Sequence, residues 1–216
     1  VFEVLPAQAA DVDSWLGLAG TAARLLRALC ELGLAYENGE GVWLLTERGS
    51  LLAKAHGYSM TAAATLWGKE HYRAWMDLAD ALRSGCAVFE DSYGKPFFEW
   101  LQNRPPDLGI YHVALSSYAR HDYASLSRIV DFSRHRTVLD AGGGYGDLLF
   151  SLLREHPQLE GILLDRPEVI AGAKVPEELD TRCRLVAGDL FTPWPARADA
   201  VVLARVLHDW PDGQAL

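Results

Sequence analysis

The chain has 216 residues, 50% of them apolar and 23% charged, with a formal net charge of -9. That length has room for two domains, and the composition is that of an ordinary globular protein. The acidic balance argues against a nucleic-acid partner, and the absence of a signal peptide or a long apolar run points to a cytoplasmic protein with no membrane partner.

Cys30, Cys86 and Cys183 are odd in number and form no C-x-x-C pair. They read as buried thiols in a reducing compartment, not as a metal or redox site. The first residue is Val1 rather than Met, so the natural N-terminus is expected to lie outside the chain.

Three segments are expected, 1–55, 56–120 and 121–216. In the first, Thr21 is placed to cap a helix reaching about Leu32, with Leu25, Leu26, Leu29 and Leu32 on one face and Gly33 ending it. The stretch LAYENGEGVWLLT then reads as strand, turn, strand. Asn38-Gly39 and Glu40-Gly41 make the turn between Tyr36 and Val42-Trp43-Leu44. Helix, helix, hairpin is the order of a winged helix. The second helix offers only Arg24 and Arg27 as cations, and the wing carries Glu37 and Glu40. Packing or dimerisation is therefore favoured over DNA reading.

Residues 56–120 read mostly as helix and are rich in aromatics, including Trp67, Tyr72, Trp75, Tyr93, Phe97, Phe98, Trp100 and Tyr111. Most are expected in the core, with some as candidates to line an apolar pocket for a flat ligand. A turn is expected from Gly94 to Pro96 and a break from Asn103 to Pro106. From about 121 onward strands and helices alternate: TVLDA, then GDLLFSLLREHP, GILLD, a helix starting at Pro167, CRLVAGD, and a fourth strand within ADAVVLARVLHDW. Apolar strands joined by helices imply a parallel sheet with both faces covered.

The turn after TVLDA holds Gly142, Gly143, Gly144 and Gly146. A G-x-G-x-x-G fingerprint begun at Gly142 puts its last glycine on Asp147, and begun at Gly144 on Leu149, so both fail. No Gly-Lys-Ser/Thr follows for a P-loop. What fits is Asp-x-Gly-x-Gly-x-Gly: Asp140, Gly142, Gly144, Gly146. Asp165 closes the second strand about 25 residues later, and Asp189 follows the third. A carboxylate at the second strand end can accept hydrogen bonds from both hydroxyls of a ribose. The plainer roles are a helix cap for Asp165 and a turn residue for Asp189. His208 falls at the expected end of the fourth strand, with its ring expected to face the same crevice.

The Asp140–Gly146 pattern resembles motif I of the S-adenosylmethionine-dependent methyltransferases. Together with LLRALCELGLA, YGKPFFEWL, LLDRPEVI, VAGDLF and RVLHDWPD, it makes nearly the whole chain resemble the winged-helix small-molecule O-methyltransferases. These include plant phenylpropanoid and flavonoid enzymes and bacterial aromatic-polyketide tailoring enzymes. The resemblance implies an α/β fold: a Rossmann-like class I methyltransferase domain in 121–216, C-terminally incomplete. Before it would stand a winged-helix module in 1–55, N-terminally incomplete, and a helical dimerisation and substrate-lining region in 56–120.

It further implies S-adenosylmethionine as cofactor, a small aromatic phenolic substrate, a homodimer and no metal. Cofactor contacts are expected at Asp140, Gly142, Gly144, Asp165, Asp189, Leu190 and Arg205, with Asp189 and Leu190 flanking the adenine. His208 is the expected general base, oriented by Asp209. Leu115 aligns near a substrate contact, with Tyr111 and His112 close by; core packing is the alternative for all three.

A phenol, with pKa near ~10, stays protonated at neutral pH, while a free imidazole near ~6.5 can take its proton as attack begins. Two departures stand out. The family's chains run well beyond this one, so the last sheet strands and supporting carboxylates are expected outside it. Many plant members also carry Lys where Ala204 stands. The competing readings are a relative that binds the same cofactor for hydroxylation or decarboxylation, and a non-enzymatic winged-helix ligand sensor.

Overall fold

The computed structural model describes residues 1–215. The chain divides into two compact units, Val1–Val88 and Phe89–Leu216. The expected middle segment is thus shared between them.

The first unit begins with β1 (Ala7–Gln8), α1 (Ala9–Leu16), α2 (Ala22–Glu31), β2 (Ala35–Glu37) and β3 (Val42–Leu45). β3 lies between β1 and β2, antiparallel to both, with Trp43 opposite Ala7 on one side and Glu37 on the other. The expected hairpin forms because Asn38 Oδ1 accepts from the amides of Glu40 and Val42, at 3.1 and 2.9 Å. Thr21 takes the position before α2 but its side chain makes no capping bond. Asp13 of α1 does that work, its Oδ1 accepting from Ala22 N at 2.9 Å.

Helix α2 buries Ala22, Leu26 and Leu29, and the first two pack with Val12 and Trp43. Leu25 and Leu32 stay exposed, because they stand at the margins of that apolar stripe. The cysteines depart from expectation: Cys30 and Cys86 are exposed and Cys183 is half-buried, all with free thiols. Cys30 lies off the buried stripe of α2, and Cys86 lies beyond a helix end.

Short helices complete this unit: α3 (Glu47–Ser50), α4 (Thr61–Leu66), a π turn at Trp67–His71, α5 (Tyr72–Trp75) and α6 (Leu78–Ser84).

The second unit opens with α7 (Phe89–Tyr93), α8 (Phe97–Gln102), α9 (Pro105–Asp122) and α10 (Leu126–Ile129). Pro105 sits at the start of α9, where its missing N–H costs nothing, so the break spans only Asn103 and Arg104. The sheet follows: β4 (Thr137–Ala141), α11 (Asp147–Glu155), β5 (Glu160–Asp165), α12 (Pro167–Ile170), β6 (Cys183–Ala187) and β7 (Ala200–Val202). The chain closes with a short helix, α13 (Asp212–Ala215).

The four strands run parallel in the order β6-β5-β4-β7. The chain steps outward from β4 through β5 to β6, then crosses back to place β7 on the other side of β4. Open sheets bind ligands at such a reversal, outside the carboxyl ends of the strands.

Both faces are covered across the central strands β4 and β5, while Val201 of β7 stays 48% exposed. On one face Val138 and Leu163 pack with Leu149 and Leu153 of α11, all fully buried. On the other, Leu139, Ala141, Ile162 and Leu164 form a second layer with Val186, Leu190 and Trp194 against it.

The fourth strand is shorter than expected. It ends at Val202; Arg205 turns the backbone left-handed at φ 55°, and Leu207–Asp209 form one turn of 3-10 helix. His208 therefore stands on that turn, not at the strand end.

Candidate functional site

β4 delivers Asp140 to the carboxyl edge of the sheet, opposite Leu163 of β5 and Val202 of β7. The neighbouring strand delivers Asp165, opposite Ala187, and Asp189 follows two residues later. Above them the glycine loop turns into α11. Gly142, Gly144 and Gly146 all have positive φ, and Gly142 has a second reason to lack a side chain: a Cβ there would come within 2.8 Å of Val206 Cγ2. A Cβ on Gly143 would stand 2.6 Å from the carboxyl carbon of Asp140. The loop thus lies flat on the buried carboxyl group.

These residues wall a cavity of about 250 Å³. Of the residues expected to bind the cofactor, the structure brings Asp140, Gly142, Gly144, Asp165, Asp189, Leu190 and Arg205 to it. Tyr111, His112 and Leu115 line it from α9. Asp209 lines it too, but His208 does not: contrary to expectation its side chain is 63% exposed on the turn beside the cavity, with Nε2 3.4 Å from Asp209 Oδ1.

Other wall residues carry no individual role in the sequence, although Phe98 stands among the aromatics expected as candidate pocket lining. Arg166 and Tyr145 were legible only as neighbours of Asp165 and Gly144. Phe98 and Trp210 stack at 6.0 Å between ring centres and Phe191 meets Trp210 edge-on at 4.5 Å, a cluster no local pattern announces. Arg166 lies over Phe98, 5.6 Å from its centre.

The electrostatics are acidic. Asp140, Asp147, Asp165, Asp189 and Asp209 face two guanidinium groups, those of Arg166 and Arg205. The Arg205 guanidinium is already engaged by Asp122 and sits 5.0 Å over Tyr118, both on α9. Asp165 Oδ2 accepts from Gly144 N at 2.8 Å and Oδ1 from Arg166 N at 2.7 Å. Burial still raises its pKa, with those two amides and the Arg166 charge opposing.

Asp140 is 1% exposed, and its carboxyl oxygens meet only the Leu149 amide, at less than ordinary hydrogen-bond geometry. Burial first and the Asp165 carboxylate second push its pKa up to about 7. Burial, then Asp209 and Asp165, raise Tyr111, so it stays a phenol at any ordinary pH. Asp209 is raised by its own burial, against the pull of His208. Asp189 Oδ1 accepts from Phe191 N at 2.9 Å, and Leu190 reaches toward Gly142.

Such a wall suits a ligand with a positive charge, hydroxyl groups for the carboxylates, and a flat apolar portion for the aromatic cluster. Among the described residues no group of three or more His, Cys, Asp or Glu could hold a metal ion, and no helix is long and apolar enough to cross a membrane.

Residues 75–216 match the O-methyltransferase domain family. The chain is 34% identical over 196 residues to the phenazine O-methyltransferase PhzM of Lysobacter antibioticus, covering 89% of this chain and 58% of that protein. It is 29% identical over 216 residues to a phenazine-1-carboxylate N-methyltransferase of Pseudomonas aeruginosa, covering 95% of this chain and 63% of that one. Among solved structures it is similar to an O-methyltransferase (NcsB1) from neocarzinostatin biosynthesis in complex with S-adenosylmethionine and 2-hydroxy-5-methyl naphthoic acid. The TM-score there is 0.81 at 32% identity, over 98% of this chain and 67% of that one.

Proposed function

The chain belongs to the O-methyltransferase domain family, and from that premise we propose that the protein transfers a methyl group from S-adenosylmethionine to a phenolic hydroxyl of a small aromatic natural product, one of polyketide origin. The chain spans 58% of the length of PhzM, and the reading concerns the activity of the whole protein. The observation that carries it is the convergence of Asp140, Asp165 and Asp189 with a glycine loop on one cavity, at the strand-order reversal of a parallel sheet.

The residues present fit the cofactor. S-adenosylmethionine carries one net positive charge, and besides the sealed Asp140 the wall holds Asp147, Asp165, Asp189 and Asp209 against two arginines. Asp165 is placed to accept from ribose hydroxyls. Asp189 and Leu190 would flank the adenine, and the open backbone of Gly142 to Gly144 would admit the amino-acid end. Arg205 would border the adenine through its backbone, since Asp122 holds its side chain.

When bound, the cofactor supplies a sulfonium methyl already activated for in-line displacement. The protein's task is then to hold the acceptor at attack distance and remove its proton. Tyr111 and Leu115, with Phe98 and Trp210, offer the acceptor an apolar, aromatic wall. We assign proton removal to His208, with Asp209 orienting the ring through Nε2 and leaving Nδ1 for the phenolic proton. The protein works as a homodimer held by its N-terminal helices, and acts in the cytoplasm without nucleic acid or membrane.

The test is methyl transfer from labelled S-adenosylmethionine to a panel of phenols, with and without His208→Ala. Label should enter an ether-extractable product, and the variant should lose at least ~10²-fold in turnover with cofactor affinity nearly intact. Unchanged turnover would remove His208 from the role. Because one relative is an N-methyltransferase, the panel includes ring-nitrogen acceptors. Label found only on nitrogen would replace the phenol reading.

A further inference from the structure

His112 is 5% exposed, and neither ring nitrogen has a hydrogen-bond partner. A buried imidazole ordinarily satisfies at least one nitrogen, because leaving both dry costs free energy with no return. Here the ring lines the cavity. It is held flat against Tyr145, 4.6 Å between centres at 29°, so its orientation is fixed before any ligand arrives.

Its Nδ1 lies 3.4 Å from where a Cβ on Gly144 would stand. Gly144 is also the residue whose amide bonds Asp165 Oδ2. The imidazole and the Asp165 carboxylate therefore converge on one glycine from two different elements, α9 and the end of β5.

Resting on the cofactor reading above, we propose that His112 is a cofactor-binding residue whose ring hydrogen-bonds a ribose hydroxyl that Asp165 also contacts. The chemistry fits the pair. A carboxylate only accepts, so a hydroxyl that donates to Asp165 keeps its lone pairs for a donor. A neutral imidazole carries one N–H and one acceptor nitrogen, and so can serve that hydroxyl or its neighbour in either sense.

Burial, helped by Arg166 and opposed by Glu168, holds the imidazole pKa down at about 4, so the ring is neutral at physiological pH. Tyr111 and Tyr145 stand against the ring, and the cavity wall also carries five aspartates and two arginines. Sequence position alone put His112 on the acceptor side; its seat against Gly144 and Tyr145 puts it on the cofactor side.

The test measures binding, not turnover. S-adenosylhomocysteine and its 2′-deoxy and 3′-deoxy analogues are titrated calorimetrically into the wild-type protein, His112→Ala and His112→Asn, with thermal melts confirming that each is folded. The parent compound should bind His112→Ala roughly fivefold or more weakly, and His112→Asn should recover part of the loss. Removing the contacted hydroxyl should cost the wild type more than it costs His112→Ala. In the wild type itself, isotope-labelled His112 should shift its ring-nitrogen resonances on addition of the compound, which needs no variant to fold.

Equal affinity of wild type and His112→Ala, equal loss for each deoxy analogue in both, or unmoved ring nitrogens would overturn the proposal. Failure of the wild type to bind S-adenosylhomocysteine at all would instead overturn the cofactor reading on which it rests.

Discussion

Asp165 and Asp140 are the same residue type at adjacent strand ends, yet the structure gives them different tasks. Asp165 is tied by two amides and remains open to the cavity. Replacing it with Ala should weaken S-adenosylmethionine binding while leaving the fold intact, and a calorimetric affinity equal to wild type would refute the ribose assignment. Asp140 is sealed under the loop, and its consequence is for stability. Its pKa stands at about 7 against an ordinary 3.8, so the folded chain holds a proton that the unfolded chain releases. Stability from this group is complete below about 3.8 and is lost as pH rises through about 7. His112 runs the other way. At about 4 against 6.5, its stability is complete above 6.5 and is lost as pH falls through about 4. The two slopes oppose each other between about pH 4 and 6.5, on the order of 4 kcal/mol in full for Asp140 and 3 for His112. Denaturant titrations across that window should show Asp140→Asn gaining stability as pH rises, and His112→Asn losing it. Identical slopes in both variants would contradict the two placements.

At the scale of elements, α11 ties the sheet to the glycine loop. Its inner residues Leu149 and Leu153 are fully buried against Val138 and Leu163. Leu149→Ala should cost about 2–5 kcal/mol, by lost transfer and the cavity left behind. Leu25→Ala, on an exposed margin of α2, should cost well under half of that, as read by urea unfolding. Equal costs would mean that α11 is not seated as described. The elements were largely legible in advance. TVLDA, GILLD and CRLVAGD form β4, β5 and β6, and Pro167 starts a helix as expected, whereas Pro105, expected within a break, starts α9. The failures have local causes. Thr21 has the residue type of a cap, but the bond to Ala22 comes from Asp13, nine residues upstream. The apolar run of the fourth strand continues toward His208, and a run of side chains carries no sign of the left-handed turn at Arg205.

At the scale of the whole molecule, the family brings an expectation that one chain does not work alone. Met76 and Leu82, at 73% and 76% exposed, are long apolar side chains in the helical part of the first unit. Light scattering should give twice the monomer mass for the wild-type protein. The double change Met76→Glu and Leu82→Glu should shift it toward monomer without altering the affinity of the second unit for S-adenosylhomocysteine. A dimer unaffected by both charges would place its interface elsewhere. The net charge of -9 should likewise leave gel mobility of DNA unchanged at physiological salt.

The sequence by itself determined the parallel sheet, the covered faces and the acid-bearing strand ends, because those follow from periodicity, glycine and proline, all read within a few residues of one another. It also announced the glycine loop and, through it, the class of ligand. What only the tertiary structure decided was which side chains share a wall. His112 and Gly144, or Phe98 and Trp210, are far apart along the chain and meet because α8, α9 and the turn after β7 fold over one edge of the sheet. Burial at that edge also set the protonation of Asp140, Tyr111 and His112. The cost of stripping water from a group depends on everything packed around it, and no stretch of neighbouring letters encodes that sum.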